Sequence, residues 1–208
     1  MRASAAKDCS SKKCKPRGAK EILRSRHQDR RYHSRDRLQT MPRVLIIAFG
    51  NPLRCDDSLA WHAADRLEGR FSSEAVEILR THQLVPDLAE AISHCESIIF
   101  VDAASVDVPG NGQPGEIREI QVSSSGSTPR FSHQLSPGAL ASLARSLYGA
   151  KPPAVSVTLT GECFDHGESL SPVITAALPA LVARIETLVQ RLLSGEVLGE
   201  APPDSNKA

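Results

Sequence analysis

Acidic and imidazole side chains stand where predicted strands or helices begin or end. Asp56 and Asp57 follow an apolar run that stops at Gly50. Asp102 closes another apolar run, and His133 precedes a predicted helix. Imidazole nitrogen suits nickel, zinc or iron, and carboxylate oxygen is tolerated beside it. These residue types predict a site for a divalent transition metal, provided that the fold brings them together.

Each of these residues also has a structural interpretation. Asp57 could cap the following helix and interact with the positive end of its dipole. Asp102 could accept hydrogen bonds from neighbouring loop amides, and His133 could be an ordinary loop histidine. Taken singly, the positions leave both interpretations open. Their joint placement at predicted strand ends favours a site.

Several common catalytic motifs are absent from the places where they would act. The first strand is not followed by G-x-G-x-x-G, and the chain contains no P-loop and no G-x-S-x-G elbow. Neither C-x-x-C nor H-E-x-x-H occurs. Cys55 lies close to the paired carboxylates, which would raise its pKa and weaken it as a nucleophile.

The elements that must position these residues alternate along the chain. Strands are predicted at 43–50, 75–84, 97–104, 116–123 and 154–161, and helices at 57–71, 85–95, 136–149 and 171–196. Alternation of this kind predicts βαβ units with right-handed crossovers. The expected fold is α/β, a three-layer sandwich with a mainly parallel twisted sheet and helices on both faces. In such sheets the functional residues lie beyond the carboxyl ends of the strands.

Composition limits the class of protein. Hydrophobic residues make up 40% of the chain and aromatic residues 4%, which predicts an aliphatic core. No uninterrupted apolar run approaches the roughly 20 residues that a membrane-spanning helix needs, so we expect no membrane association. The five cysteines are an odd and widely spaced set, which does not suggest a disulfide framework. A reducing cytoplasm is the expected compartment.

The first forty residues differ in charge from the rest. Residues 1–40 contain 13 of the 25 Lys and Arg and 4 of the 24 Asp and Glu, so they carry about +9 and the remainder about −8. A disordered arm that binds nucleic acid or an acidic partner, a targeting segment and an upstream extension are the alternatives. The segment has no apolar core of a secretory signal, and Met41 directly precedes the first strand. We expect 1–40 to be a basic disordered extension without a nucleic-acid partner, 41–196 a single α/β domain, and 197–208 a disordered tail.

Four segments carry a resemblance to a known family. They are GNPLRCDDSLAWH, FVDAAS, SHQLSP and VTLTGECFDHGESLSPVITAALPALVARI. In order and spacing they resemble the motifs of the hydrogenase maturation endopeptidases over residues 44–192. The G-N-x-x-x-x-D-D element after the first strand and the G…G-x-x-L-S-P element before the last helix are its most specific parts. One difference stands out, because Ser58 occupies a position where the family usually has glycine.

The resemblance implies an aspartic-type, nickel-dependent protease. Such an enzyme removes the C-terminal extension from the precursor of a nickel–iron hydrogenase large subunit after metal insertion. It recognises nickel in the substrate, so no tightly held intrinsic cofactor is expected. By motif, Asp57, Asp102 and His133 correspond to the catalytic, metal-contacting residues, and Asp56 and His82 are further candidates. The implied partner is the precursor, and we expect the protease to be a cytoplasmic monomer.

Three questions remain open from the sequence. One alternative to the protease is a non-catalytic chaperone that binds nickel or the precursor through the same ligands. His82 follows a predicted strand and is either a second imidazole at the site or a structural residue. The residue types also do not decide whether an aspartate or the metal activates water.

Overall fold

The computed structural model describes residues 42–106, 112–123 and 135–196. His133 and the two predicted terminal segments, 1–40 and 197–208, lie outside the described residues. The predictions made for them therefore stay predictions.

The described residues form an α/β structure around one sheet. The strands are β1 (Val44–Phe49), β2 (Val76–Thr81), β3 (Ser97–Ser105), β4 (Ile117–Gln121) and β5 (Ala154–Gly161). The α-helices are α1 (Leu59–Leu67), α2 (Leu88–Ser93), α3 (Pro137–Tyr148) and α4 (Pro172–Leu193), and a 3₁₀ turn at Cys55–Ser58 precedes α1. The strand order is β2-β1-β3-β5-β4, and β4 runs antiparallel to β5 while the other pairs are parallel. The predicted mainly parallel sheet is confirmed.

Alternating side chains of the strands build two aliphatic cores. Ile46 of β1 packs with α1 and α4 on one face of the sheet. Its neighbour Ile47 packs with α2 and α3 on the other face. This alternation is the two-residue period of a strand buried on both faces. Helices therefore cover both faces, which confirms the predicted three layers.

The two cores also show where the chain changes direction across the sheet. The β1–α1–β2 connection uses the face of α4, and the β2–α2–β3 connection uses the opposite face. The connections that follow the neighbouring strands β1 and β3 thus run in opposite directions along the sheet. Such a switch point leaves a crevice in which α/β proteins bind ligands. Asp57 follows β1, and Asp102 lies in β3 just past the last residue that pairs with β1, so both border this crevice.

The first helix is shorter than predicted. The sequence predicts a helix over 57–71, whereas Cys55–Ser58 is a 3₁₀ turn and α1 spans Leu59–Leu67. Glu68 ends α1 because its backbone is extended, with φ −57° and ψ 133°. Asp57 therefore lies in a tight turn before the helix.

The second helix is also shorter than its predicted range of 85–95, because α2 covers Leu88–Ser93. The preceding residues form turns in which the Leu88 and Ala89 amides donate to carbonyls three residues back. Pro86 lies in one of these turns rather than at the first helical position.

Serine and proline at the predicted helix starts located the beginnings of the two longer helices, α3 and α4, correctly. The Ser136 hydroxyl accepts a hydrogen bond from the Ala139 amide at 3.2 Å, and proline follows Ser136 at the first helical position. Ser171 caps α4 in the same way, through the Ile174 amide. Pro179 lies inside α4, which remains a single continuous helix from Pro172 to Leu193.

Helix α4 is long and apolar enough, by length and composition, to cross a membrane, with a mean hydropathy of 1.5 over its best window. A core helix of a soluble protein meets the same criteria. In this fold its apolar side chains, including Ile174, Leu181 and Ile185, are buried against the sheet. Packing in the core therefore accounts for its apolar character.

Candidate functional site

The segment after β1 presents Asp57 at the edge of the sheet. Gly50 has φ +143°, and a Cβ atom at this position would overlap the carbonyl oxygen of Asp57. The Asp57 carboxylate oxygen Oδ2 accepts a hydrogen bond from the Asn51 amide at 2.9 Å. Asp57 is thus fixed by the loop before it and does not cap α1. The N-cap residue of α1 is Ser58, and its side chain makes no capping hydrogen bond.

Gly50→Ala is expected to destabilise the fold by at least about 2 kcal/mol, because it combines an unfavourable φ with direct overlap with backbone. Gly69→Ala is the matched control, since Gly69 has φ +74° and open space around its Cα. The control is expected to cost about 1 kcal/mol. Urea unfolding of both variants measures the difference, and equal losses would contradict the close approach at Gly50.

Asp102 lies at the level where β1 stops pairing with β3. The last pair of the two strands is Ala48 with Val101, whereas β3 continues along β5 to Ser105. The prediction that Asp102 ends its strand is therefore wrong, because β5 is long enough to keep pairing with β3. By strand alternation Asp102 lies on the face of α2 and α3, and its Oδ1 accepts from the Ala103 amide at 2.8 Å.

The environment of Asp102 favours its protonated form. The pKa of Asp102 is raised to about 7, mainly by burial and to a smaller extent by the Asp57 carboxylate, while the hydrogen bond from the Ala103 amide lowers it. The 3₁₀ turn that carries Asp57 contacts β3, which carries Asp102, so the two carboxylates lie on the two sides of the crevice between β1 and β3. Two sequence-predicted site residues are thus brought together. A carboxyl group that titrates near neutral pH suits proton transfer.

The raised pKa predicts a pH-dependent stability. Between about pH 4 and pH 7 the unfolded chain has lost the Asp102 proton and the folded chain still holds it. The contribution of Asp102 is therefore complete below pH 4 and falls as pH rises to about 7, by up to about 4 kcal/mol in total. Asp102→Asn removes this slope.

Urea unfolding at two pH values tests the slope. The stability of Asp102→Asn relative to the unsubstituted chain is expected to rise by about 2 kcal/mol or more between pH 5 and pH 8. Asp87→Asn is the control, because Asp87 is exposed and its side chain forms no helix cap. A constant difference for Asp102→Asn would show that Asp102 ionises normally.

Asp56 has a different role from its neighbour. Its side chain is fully buried. Oδ2 accepts hydrogen bonds from the Glu162 and Cys163 amides at 2.8 and 2.9 Å, and Oδ1 accepts from the Ser171 amide at 2.7 Å. Three backbone donors from the segment between β5 and α4 thus converge on one carboxylate. Asp56 anchors this segment, which we call loop 162–171.

Further contacts join loop 162–171 to the residues before Asp56. The Cys55 amide donates to the Gly167 carbonyl at 2.7 Å, and the Gly167 amide donates to the Leu53 carbonyl at 2.9 Å. The Arg54 guanidinium donates twice to the Phe164 carbonyl, at 2.8 and 3.1 Å. The loop is therefore fastened to the whole 53–56 segment.

Close packing requires glycine at two positions of this region, Gly161 just before the loop and Gly167 within it. A Cβ atom at Gly161 would lie 2.8 Å from the Phe164 ring and 3.0 Å from Cβ of Asp56. A Cβ atom at Gly167 would lie 2.9 Å from Sγ of Cys55. The G…G-x-x-L-S-P element is thus the sequence signal of this loop, although the sequence did not reveal that Asp56 is its anchor.

Ser58 fits its position without the freedom of glycine. Its backbone has φ −80° and ψ −7°, which is right-handed helical and open to any residue. Its hydroxyl donates to the Cys55 carbonyl at 2.6 Å, and the residue is buried. The substitution of the usual family glycine therefore leaves the turn before α1 intact.

Of the two imidazole candidates, the structure describes His82 but not His133. His82 follows β2, is exposed, and packs edge to face against Trp61 with 5.4 Å between ring centroids. The Trp61 indole donates to the Gly50 carbonyl at 3.0 Å, so His82 lies on the wall beside the site. Within 42–106, 112–123 and 135–196, no three His, Cys, Asp or Glu side chains are grouped to hold a metal.

His133, the third predicted metal contact, lies outside the described residues, but a residue close to it in the chain is placed. Leu135, two residues after His133, packs in the core shared by α2 and α3. Asp102 lies on the same face of the sheet by strand alternation. The chain therefore resumes on the face of the sheet that carries Asp102.

Solved structures share this fold. The hydrogenase maturating endopeptidase HybD from E. coli superposes with a TM-score of 0.60 and 21% identity, over 72% of this chain and 93% of that one. The [NiFe] hydrogenase maturation proteases HycI and HybD from Thermococcus kodakarensis give TM-scores of 0.57 and 0.54, each with 22% identity over 71% of this chain and 92% and 99% of theirs. No protein-family model matches the chain, and no curated protein matches it in sequence. The chain therefore has the fold of the hydrogenase maturation endopeptidases, as the resemblance in its motifs implied.

Proposed function

We propose that this protein is an endopeptidase that removes the C-terminal extension from the precursor of a nickel–iron hydrogenase large subunit after metal insertion. It recognises the nickel that the precursor carries. The pairing of Asp57 and Asp102 at the switch point supports this proposal most directly, on a fold shared with proteases of that name. The fold is compatible with many functions, so the site carries the argument.

The two carboxylates have complementary environments. Asp57 is fixed by the Asn51 amide and Asp102 by the Ala103 amide, so each keeps an oxygen free of these bonds. Together with the imidazole of His133, they would contact the nickel of the precursor as oxygen and nitrogen ligands. Because the pKa of Asp102 is near 7, approach of a cation would displace its proton at neutral pH.

Loop 162–171 and Trp61 would border the bound precursor. The loop is fastened beside Asp57 through Asp56, and the Trp61 indole donates a hydrogen bond to the Gly50 carbonyl next to the same turn. These contacts hold the Asp57 backbone in place before any substrate arrives. A preorganised site of this kind orients the scissile extension without rearrangement.

Incubation with purified large-subunit precursors, with and without nickel, tests the proposal. Mass measurement is expected to show a shortened product from the nickel-loaded precursor and an unchanged mass from the nickel-free one. Asp87→Asn, at an exposed position whose side chain forms no helix cap, is the variant that should cleave normally. Stable binding of the loaded precursor without shortening would instead identify a maturation chaperone.

A further inference from the structure

Two cysteines meet where loop 162–171 is fastened to the residues before Asp57. Cys55 and Cys163 are both free and partly exposed. The Asp56 amide donates to the Cys163 carbonyl at 3.0 Å, so the two cysteines lie on neighbouring segments of the chain. The Cys163 thiol is also the largest influence on the pKa of the Cys55 thiol, in keeping with two side chains on these joined segments that lie near each other. The contact joins residues that are distant in sequence, and the proposed function makes no use of it.

The backbone at Cys55 is unusual. Cys55 has φ +37°, and it is the one non-glycine residue with positive φ in the described ranges. This conformation costs an L-residue about 1–2 kcal/mol. It is held by the bond from the Cys55 amide to the Gly167 carbonyl, and Gly167 leaves room for the sulfur atom. Strained residues held by their surroundings are typical of functional positions.

We propose that Cys55 and Cys163 form a reversible disulfide that locks loop 162–171 onto the turn carrying Asp56 and Asp57. The oxidant is a disulfide of a small thiol, such as oxidised glutathione. One cysteine attacks it as thiolate, forms a mixed disulfide and releases one small thiol. The second cysteine attacks the mixed disulfide, forms the Cys55–Cys163 bond and releases the other small thiol. The two cysteine protons pass to solvent or to the released thiolates.

Accessibility separates this pair from the third described cysteine. Cys95 is buried in the core below α2, and burial raises its pKa to about 12. An oxidant in solution therefore reaches Cys55 and Cys163 first.

Treatment of the full-length chain with oxidised glutathione tests the proposal. Peptide mass mapping without reduction is expected to show one peptide pair linking Cys55 and Cys163, lighter by two hydrogen atoms and separated again by dithiothreitol. The cross-link closes a long loop, so Tm is expected to rise by roughly 5–10 °C. Hydrogen exchange at the Glu162 and Ser171 amides, which bond to Asp56, is expected to slow.

Matched variants distinguish the link from general oxidation. Cys55→Ser and Cys163→Ser are expected to lose both the link and the Tm increase, whereas Cys95→Ala keeps both. Glutathione adducts on unlinked Cys55 and Cys163, or a link confined to Cys9 and Cys14, would overturn the proposal. These readouts involve no precursor, so failure of the proposed protease activity would not affect them.

Discussion

Asp57→Asn and Asp102→Asn are each expected to lower the rate of precursor cleavage at least about 100-fold while the protein stays folded. Asparagine has nearly the same shape, and its carbonyl oxygen can still accept the Asn51 or the Ala103 amide. It lacks the charge needed to contact a cation and cannot exchange a proton. His133→Ala is expected to have the same effect on cleavage. Mass measurement of a nickel-loaded precursor over time gives the rate.

Asp87→Asn serves as the control for this experiment, because it makes the same chemical change at an exposed position. Circular dichroism and thermal unfolding establish that each variant is folded before its rate is compared. Cleavage by Asp57→Asn or Asp102→Asn at the rate of the control would remove these carboxylates from the reaction. Loss of cleavage together with retained binding of the precursor would place them in the chemical step.

Asp56→Ala is expected to cause a larger loss of stability than any substitution at Asp57. It leaves three backbone amides of loop 162–171 without their acceptor, and hydrogen bonds to a charged group contribute about 1.5–3 kcal/mol each. We expect a loss of about 3–5 kcal/mol and a fall in Tm of roughly 10 °C. Asp56→Asn is also expected to destabilise, because its amide group would face one of the donors.

The adjacent carboxylate provides a matched comparison. Asp57 accepts from one backbone amide and is partly exposed, so Asp57→Ala is expected to cost about 1 kcal/mol. Urea unfolding of the nickel-free protein measures both variants. If Asp56 were chiefly a metal ligand, its replacement would leave the stability of the nickel-free protein nearly unchanged. Equal small losses at both positions would therefore contradict the anchoring role.

The local pattern of apolar, capping and turn residues was sufficient to predict most of the helices and strands. Ser136 and Ser171 each precede a proline and an apolar period of helical spacing, and both begin helices as predicted. Continuous apolar runs predicted strands buried on both faces, such as β1. The sequence overestimated α1 and α2, because their ends depend on backbone angles at Glu68 and on turns around Pro86 that no local period encodes.

The sequence by itself determined that Asp57 and Asp102 lie toward one edge of a parallel sheet, since βαβ units bring the carboxyl ends of their strands to the same edge. Only the tertiary structure decided how the neighbours Asp56 and Asp57 differ. Asp56 turns inward to amides more than one hundred positions away in the chain, while Asp57 stays at the crevice. The raised pKa of Asp102 also needs burial and the approach of Asp57 across two strands. Such long-range contacts leave no periodic or capping signal in sequence. The resemblance favoured Asp57 as the site residue, but the anchoring role of Asp56 was not visible in the sequence.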